Sequence, residues 1–367
     1  MNNNVDIAIM GSLKRGGAER VTVRLAKFFS DKGKRVAVVT STAPSEGEYV
    51  LDEKVLRVSV REKTAYMTRK EYPSAIKKYH KILKQLSPKI IIVMSVPDCS
   101  YIIPATFGVG AKVIVSERND PAHFAGSKLI RKVSRFFMKF SDGYVFQTEE
   151  ARDFYSKKIA SKSVIIANPL SDSEIPNVDY KQDSNKIVSM GRLHKQKNHK
   201  LLINAFANLA EKHPEMKLVI YGEGGLREET EKYIYEKSMQ DYVTLPGNKP
   251  DVLSHITDAR IFVLSSDFEG MPNALMEAMA MGLPCISTDC PCGGPRTLIK
   301  NGENGILVPV GDSAALEEAM HIILDDSLYA KRIAENAKKI REEFTIDKIG
   351  EQWFSYINSL LYNEKKV

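Results

Sequence analysis

Short apolar runs that end in glycine turns and open into helix-patterned segments recur along this chain in two series. That alternation limits its fold more than any other feature. Residues 5–10 form a short apolar run, and residues 11–17, Gly-Ser-Leu-Lys-Arg-Gly-Gly, read as a loop. Residues 18–32 then carry Val21, Leu25, Phe28 and Phe29 at the spacing of one helical face, and residues 35–40 are apolar again. A strand, glycine loop, helix and strand in that order make a βαβ unit, which implies a parallel sheet. Further strands are expected at 90–94, 112–116, 143–147 and 163–166, the last just before Asn168-Pro169.

The alternation stops at residues 171–185, a polar stretch with few large apolar side chains that reads as a linker. It then resumes. Strands are expected at 186–190, 217–221, 242–245, 261–264 and 285–288, and residues 305–308 read as short and extended. Helices are expected at 199–212, 226–238, 250–258, 273–281, 314–324, 327–343 and 346–362. The length of 367 residues suits two domains of roughly 150–200 each. The fold class is therefore α/β, with doubly wound domains over 1–170 and 186–345.

Composition narrows the function classes. Hydrophobic residues at 43% and charged residues at 27% are those of a soluble globular protein. A net charge of +7 favours anionic partners, or reflects only a mildly basic surface. No apolar run reaches the ~18 residues of a membrane span. The start, Met1-Asn-Asn-Asn-Val-Asp6, lacks the basic and apolar regions of a signal peptide. A cytoplasmic location is expected, and four cysteines suit a reduced interior. Cys290 and Cys292 form C-x-C, but only Cys285 is near in sequence and no histidine is, so no metal site is expected.

The segment from Asp267 to Glu277, Asp-Phe-Glu-Gly-Met-Pro-Asn-Ala-Leu-Met-Glu, carries most of the chemistry. It sets Glu269 and Glu277 around a Gly/Pro turn that opens a helix. A helix start offers unpaired N–H groups and a positive dipole end, a seat for phosphate. Carboxylates beside it accept hydrogen bonds from hydroxyls, as on a ribose or a sugar. Alone, the pair also suits a general acid and base, as in a hydrolase. Gly191, Arg192 and Lys197 follow the first strand of the second series, where open α/β sheets bind ligands. Arg fits a phosphate bidentately and Lys adds a point charge; a solvated basic loop is the alternative. Gly16 and Gly17 follow the first strand, where glycine lets a ligand approach the backbone. Their spacing is not the GxGxxG of dinucleotide folds, which argues against a nicotinamide dehydrogenase. Glu117, Arg118, Asn119, Asp120 and His123 follow another strand and are candidates for the acceptor side. Residues 128–140 place Leu129, Val133, Phe136, Phe137 and Phe140 beside Arg131, Lys132, Arg135 and Lys139. That helix either faces the core with a solvated basic side or lies on an anionic membrane.

Together these residues resemble the retaining glycosyltransferases of family GT4, of GT-B fold. Glu269 to Glu277 matches the family's E-x7-E motif, Gly191-Arg192 with Lys197 its diphosphate-binding pair, and Gly16-Gly17-Ala18-Glu19 its first loop. Pro291-Cys-Gly-Gly-Pro-Arg296 is similar to the loop after the next strand. The resemblance implies two Rossmann-like domains facing an interdomain cleft, the first binding acceptor and the second nucleotide sugar. Residues 346–367 would pack back on the first domain. It implies that Arg192, Lys197 and Glu269 are catalytic. The donor would be bound by Gly16, Gly17, Gly191, Arg192, Lys197, Glu269, Gly270, Met271, Pro272, Asn273, Ala274, Leu275 and Glu277. Many members carry a histidine near the donor sugar; here Ser116-Glu-Arg-Asn-Asp120 occupies that region, and His123 need not replace it.

The implied activity is metal-independent transfer, in the EC 2.4 class, of a hexose or N-acetylhexosamine from a nucleotide sugar, UDP-linked, with retention. The acceptor would be a polyprenyl-diphosphate-linked saccharide or other glycan, in capsule, O-antigen or related biosynthesis. No cofactor and no nucleic-acid partner are implied. The protein would be cytoplasmic, or peripheral on the inner face of the membrane. A non-catalytic nucleotide-sugar or glycan-binding subunit of a transferase complex is the alternative.

Overall fold

The computed structural model describes residues 4–14, 16–65, 67–123 and 126–362. Residues 1–3, Arg15 of the first loop and residues 363–367 of the expected C-terminal segment lie outside them. The chain divides into two compact units. One is Met1–Pro169 with Thr345–Val367; the other is Leu170–Phe344.

In the first unit the strands are β1 (Ile7–Gly11), β2 (Val36–Thr40), β3 (Leu56–Ser59), β4 (Ile90–Val93), β5 (Lys112–Ser116), β6 (Gly143–Phe146) and β7 (Ser163–Ile165). The second unit has β8 (Lys186–Met190), β9 (Lys217–Tyr221), β10 (Val243–Gly247), β11 (Ile261–Leu264), β12 (Cys285–Thr288) and β13 (Ile306–Val308). Helices of the first unit are α1 (Gly17–Asp31), α2 (Tyr72–Leu86), α3 (Cys99–Thr106), α4 (Lys128–Met138), α5 (Glu149–Asp153) and α6 (Lys157–Ala160). The second unit carries α7 (His199–Lys212), α8 (Arg227–Glu236), α9 (Asn273–Met281), α10 (Gly294–Leu298), α11 (Ser313–Asp325), α12 (Ser327–Lys338) and α13 (Ile340–Glu343). The last helix, α14 (Ile346–Tyr362), returns to the first unit.

Both sheets are parallel throughout the described residues, with orders β3-β2-β1-β4-β5-β6-β7 and β10-β9-β8-β11-β12-β13. Each order reverses once, between β1 and β4 and between β8 and β11. The crevice beyond the carboxyl ends of such a pair is where doubly wound sheets bind ligands. Strands β2, β4 and β6 are buried at every residue, because helices cover both faces of a parallel sheet.

Several expectations are corrected by packing. The 171–185 segment is not a free linker: it belongs to the second unit, with Ile175 and Val178 buried and Arg341 Nε donating to Asp172 Oδ1 at 2.7 Å. Strand β3 was not expected, because as an edge strand it is partly exposed and carries no apolar run. Helix α3 is buried at every residue but Pro104, so it shows no amphipathic period. The expected 250–258 helix shrinks to a single turn at Ser254–Ile256. The expected 327–343 helix is two; Ile333, Ala337 and Ile340 stay buried across the junction, so spacing does not mark it. In α14, Ile349, Trp353 and Ile357 recur every four residues and are buried. Gly350 lies flat against Phe28 of α1, where a Cβ would come within 2.6 Å of the ring.

Candidate functional site

The loops after β8 and β11 flank the reversal point of the second sheet, and they are bound to each other. Asp267 N donates to Gln196 O at 2.8 Å, Ser265 Oγ to Lys197 O at 2.9 Å, and Asn198 Nδ2 to Asp267 Oδ1 at 2.7 Å. Asn198 takes a left-handed conformation, φ +42°, and caps α7 by accepting from Leu201 N. This lattice brings Lys197 Nζ to 2.5 Å from Glu269 Oε1. Glu269 is buried and is gripped further: Ser266 Oγ donates to Oε1 at 2.7 Å and Gln196 Nε2 to Oε2 at 3.2 Å.

The remaining bonding capacity decides what this arrangement offers a ligand. A carboxylate has about four acceptor sites, of which Glu269 uses three; an ammonium has three donors, of which Lys197 uses one on a side chain. The pair presents spare donors and a spare acceptor side by side. Arg192 is exposed, and its guanidinium makes no hydrogen bond or ion pair among the described residues. His199 is buried beneath the same loop with Nε2 3.3 Å from Arg192 O, and burial pulls its imidazole down to about 4. It is neutral at pH 7 and adds no charge.

Glycines let four loops approach one another in two pairs. A Cβ at Gly222, φ +145°, would stand 1.9 Å from Gly191 O, and one at Gly294 would stand 1.6 Å from Gly270 O. The second pair is also tied by Glu269 N donating to Pro291 O at 2.8 Å and Cys292 N donating to Glu269 O at 3.0 Å. Beyond Gly270, Met271 and Pro272 are buried, and α9 opens at Asn273, Ala274 and Leu275 with no side-chain cap on its N-terminus. Glu277 lies one turn further in and is 2% exposed.

In the first unit, Gly16 and Gly17 stand at the N-terminus of α1, again without a side-chain cap. The segment after β5 is more committed than its sequence suggests. Glu117 is buried and accepts from Tyr155 Oη at 2.9 Å and, through Oε1, from Arg118 N and Asn119 N. Burial pushes its carboxyl up to about 7, against those hydrogen bonds and the charge of Arg135. Burial likewise pulls the Arg118 guanidinium down to about 9, so it stays charged at neutral pH. Arg118 Nη1 donates to Asn168 Oδ1 at 3.0 Å, and its guanidinium lies over the Trp353 ring, 5.3 Å to the centroid. Its Nε and Nη2 are buried without a hydrogen-bond partner. Asp120 is buried and holds His123 Nδ1 at 2.7 Å, while the His123 side chain is 48% exposed. Thus Glu117 is spent on internal bonds, whereas Arg118 keeps two buried nitrogens without a partner.

The core-facing reading of α4 is corrected. Its buried residues are Ser134 and Met138, and Ser134 Oγ donates to Pro97 O at 2.9 Å. Leu129, Phe136 and Phe140 are more than half exposed, and Phe136 and Phe140 stack with Phe107 and Phe137 in one outward aromatic patch. Lys128, Lys132 and Lys139 are exposed on the same helix and its end. No helix among the described residues is long and apolar enough to cross a membrane.

Residues 171–340 match the family described as Glycosyl transferases group 1, and residues 15–174 match Glycosyltransferase Family 4. The chain belongs to glycosyltransferase family 4. This transferase is 26% identical over 348 residues to an uncharacterized glycosyltransferase of Haemophilus influenzae, covering 94% of this chain and 97% of the relative. It is 28% identical over 354 residues to a Campylobacter jejuni enzyme, covering 95% of this chain and 97% of the relative. That enzyme is an alpha-1,4-N-acetyl-D-galactosaminyltransferase acting on GalNAc-alpha-(1->4)-GalNAc-alpha-(1->3)-diNAcBac-PP-undecaprenol. Among solved structures, HepE of Anabaena in complex with UDP-glucose superposes with a TM-score of 0.83 at 18% identity, covering 97% of this chain and 100% of HepE. The fold is GT-B, and the enzyme is a sugar transferase of the EC 2.4 class. Gln196, Asn198 and Ser266, which with Asp267 build the Lys197–Glu269 pair, carried no signal in the sequence; only the juxtaposition of two loops about 70 residues apart reveals them.

Proposed function

We propose that this transferase moves a hexose or N-acetylhexosamine, with retention of configuration and without a metal ion, from a UDP-sugar to a polyprenyl-diphosphate-linked saccharide. The observation that carries the reading is the Lys197–Glu269 pair at the sheet reversal, with exposed Arg192 beside it in sequence. Spare donors of Lys197 and Arg192 bind the donor diphosphate and stabilise its charge as it leaves. Fixed cations at a leaving group are among the larger sources of rate enhancement. The spare acceptor of Glu269 takes a hydroxyl of the transferred sugar. Glu277 takes the ribose hydroxyls, and backbone groups from Gly270 to Leu275 contact the phosphates and sugar. The acceptor oxygen bonds to the anomeric carbon on the face from which the diphosphate departs, and its proton passes to a departing phosphate oxygen. Arg118, Asp120 and His123 orient the acceptor, with Asn119 beside them.

The acceptor assignment draws on the Campylobacter relatives, one of which extends an N-acetylgalactosamine-bearing diphospho-undecaprenol. The UDP assignment draws on the HepE complexes. The outward aromatic and lysine patch of α4 supports peripheral attachment to the inner membrane face, where such a lipid is presented. Capsule, O-antigen or related glycan assembly is the setting this implies.

Release of UDP from UDP-N-acetylgalactosamine, UDP-N-acetylglucosamine and UDP-glucose, with and without an undecaprenyl-diphosphate-linked saccharide, tests the reading. Acceptor-dependent release from one donor is expected. Donor binding without turnover on any acceptor would instead indicate a binding subunit.

A further inference from the structure

We infer that the second unit holds a zinc-type divalent cation between the ends of α7 and α11, at a site separate from the donor loops. His213, the residue that closes α7, and His321 and Asp325 of α11 each offer one ligand atom, and these atoms all lie within 4.8 Å of one another. His213 Nε2 is 3.1 Å from His321 Nδ1 and 3.6 Å from Asp325 Oδ1. Ligands of a tetrahedral zinc ion, bonded at ~2.0–2.2 Å, stand about 3.3 Å apart, between those two values.

The outer nitrogens of the rings point the same way. His213 Nδ1 lies 3.7 Å from Glu215 Oε1, and His321 Nε2 lies 3.7 Å from Glu317 Oε1. A histidine that ligates a metal through one nitrogen commonly turns its other N–H to a carboxylate, which fixes the tautomer. Without a cation one ring must donate to the other, and His321 Nε2 is left buried without a hydrogen bond. With the cation both inner nitrogens are acceptors and both outer ones carry the proton, facing Glu215 and Glu317. Glu317 is itself held by Asn208 Nδ2 of α7 at 2.9 Å.

Helix electrostatics favour a cation there as well. His213 caps the C-terminus of α7 and Asp325 is the last residue of α11, so two negative dipole ends meet at this point. The Asp325 side chain is 65% exposed, which leaves an open side for a water as fourth ligand. Because helices of a parallel α/β unit end opposite the carboxyl ends of its strands, the ion would staple two helices rather than touch substrate. The same two histidines and aspartate suit zinc or cobalt and poorly suit magnesium, which requires oxygen ligands.

Zinc titration of the chelator-treated full-length chain against a chromogenic competitor tests this. One zinc per chain is expected, with a melting temperature that climbs with free zinc and does not respond to magnesium. Cobalt should give the visible absorption of a four-coordinate ion. Asp325→Asn, at an exposed position that keeps the fold, and His321→Gln should each weaken zinc binding at least tenfold. Absence of stoichiometric zinc, or equal uptake by the wild type and Asp325→Asn, would overturn the site.

Discussion

At the scale of single residues, Lys197 and Glu269 show how a charge is kept ready in a folded site. The ammonium lies 2.5 Å from one oxygen of a carboxylate that is itself bound by Ser266 and Gln196. In the proposed reaction such a held pair would need no reorganisation as negative charge develops on the leaving group. Lys197→Ala should lower kcat by roughly 10²–10³-fold while far-UV circular dichroism stays unchanged, as loss of one charge-stabilising donor typically does. An unchanged kcat would remove Lys197 from the chemistry. Glu117 supplies a prediction in pH. Burial raises its folded pKa to about 7 from the ordinary 4.5, so between those values the native state holds a proton that the unfolded chain has released. Its contribution is therefore fully present below pH 4.5 and is lost as pH rises through 7. Glu117→Gln retains an oxygen for the backbone N–H groups and removes the titration. Relative to the wild type it should gain about 1–3 kcal/mol of stability between pH 4.5 and pH 7.5. Urea unfolding at the two pH values measures the difference, and parallel slopes would refute the assignment.

At the scale of elements, α4 and α14 have similar helical patterns in sequence and opposite fates. Ile349, Trp353 and Ile357 of α14 go inward against α1, Trp353 being fully buried. Trp353→Ala should cost about 3–5 kcal/mol, because it leaves a large cavity and strips the ring from beneath Arg118. A change below 1 kcal/mol in denaturant midpoint analysis would mean that α14 is peripheral to stability. In α4 the aromatic stripe points outward and a small polar residue, Ser134, faces in. Spacing alone cannot tell these cases apart, since it reports that a face exists and not what covers it. Charge reversal at Lys128, Lys132 and Lys139 should reduce sedimentation with phosphatidylglycerol vesicles several-fold at low salt. Arg135 is left intact because Nη2 holds Pro121 O. Equal sedimentation of variant and wild type would discard the membrane contact.

For the whole molecule, the two sheets share one order over six strands, the first adding β7 at its edge, so each unit has its own reversal point. Ligand binding stabilises the folded state by mass action, so the true donor should raise the melting temperature most among nucleotide sugars, and NAD should not raise it. A flat response to every UDP-sugar would contradict a UDP-linked donor. Much of this architecture was legible beforehand. Apolar runs and glycine turns placed β5, β8, β9, β11, β12, α7, α9 and α14 at the ranges observed, because continuous burial and helical spacing leave plain marks. The motif from Asp267 to Glu277 with Arg192 and Lys197 likewise identified the family, since those residues sit at fixed positions beside strand ends. Tertiary structure alone decided what depends on partners distant in the chain. It gave Glu269 its ammonium and hydroxyl neighbours, took Glu117 inward to Tyr155, turned α4 outward, and gathered residues 170–185 into the second unit. It also brought His213 to His321 across 108 positions, where local pattern carries no trace. Periodicity is a local property of a chain, whereas hydrogen bonding, burial and charge pairing are settled only when loops from separate crossovers meet.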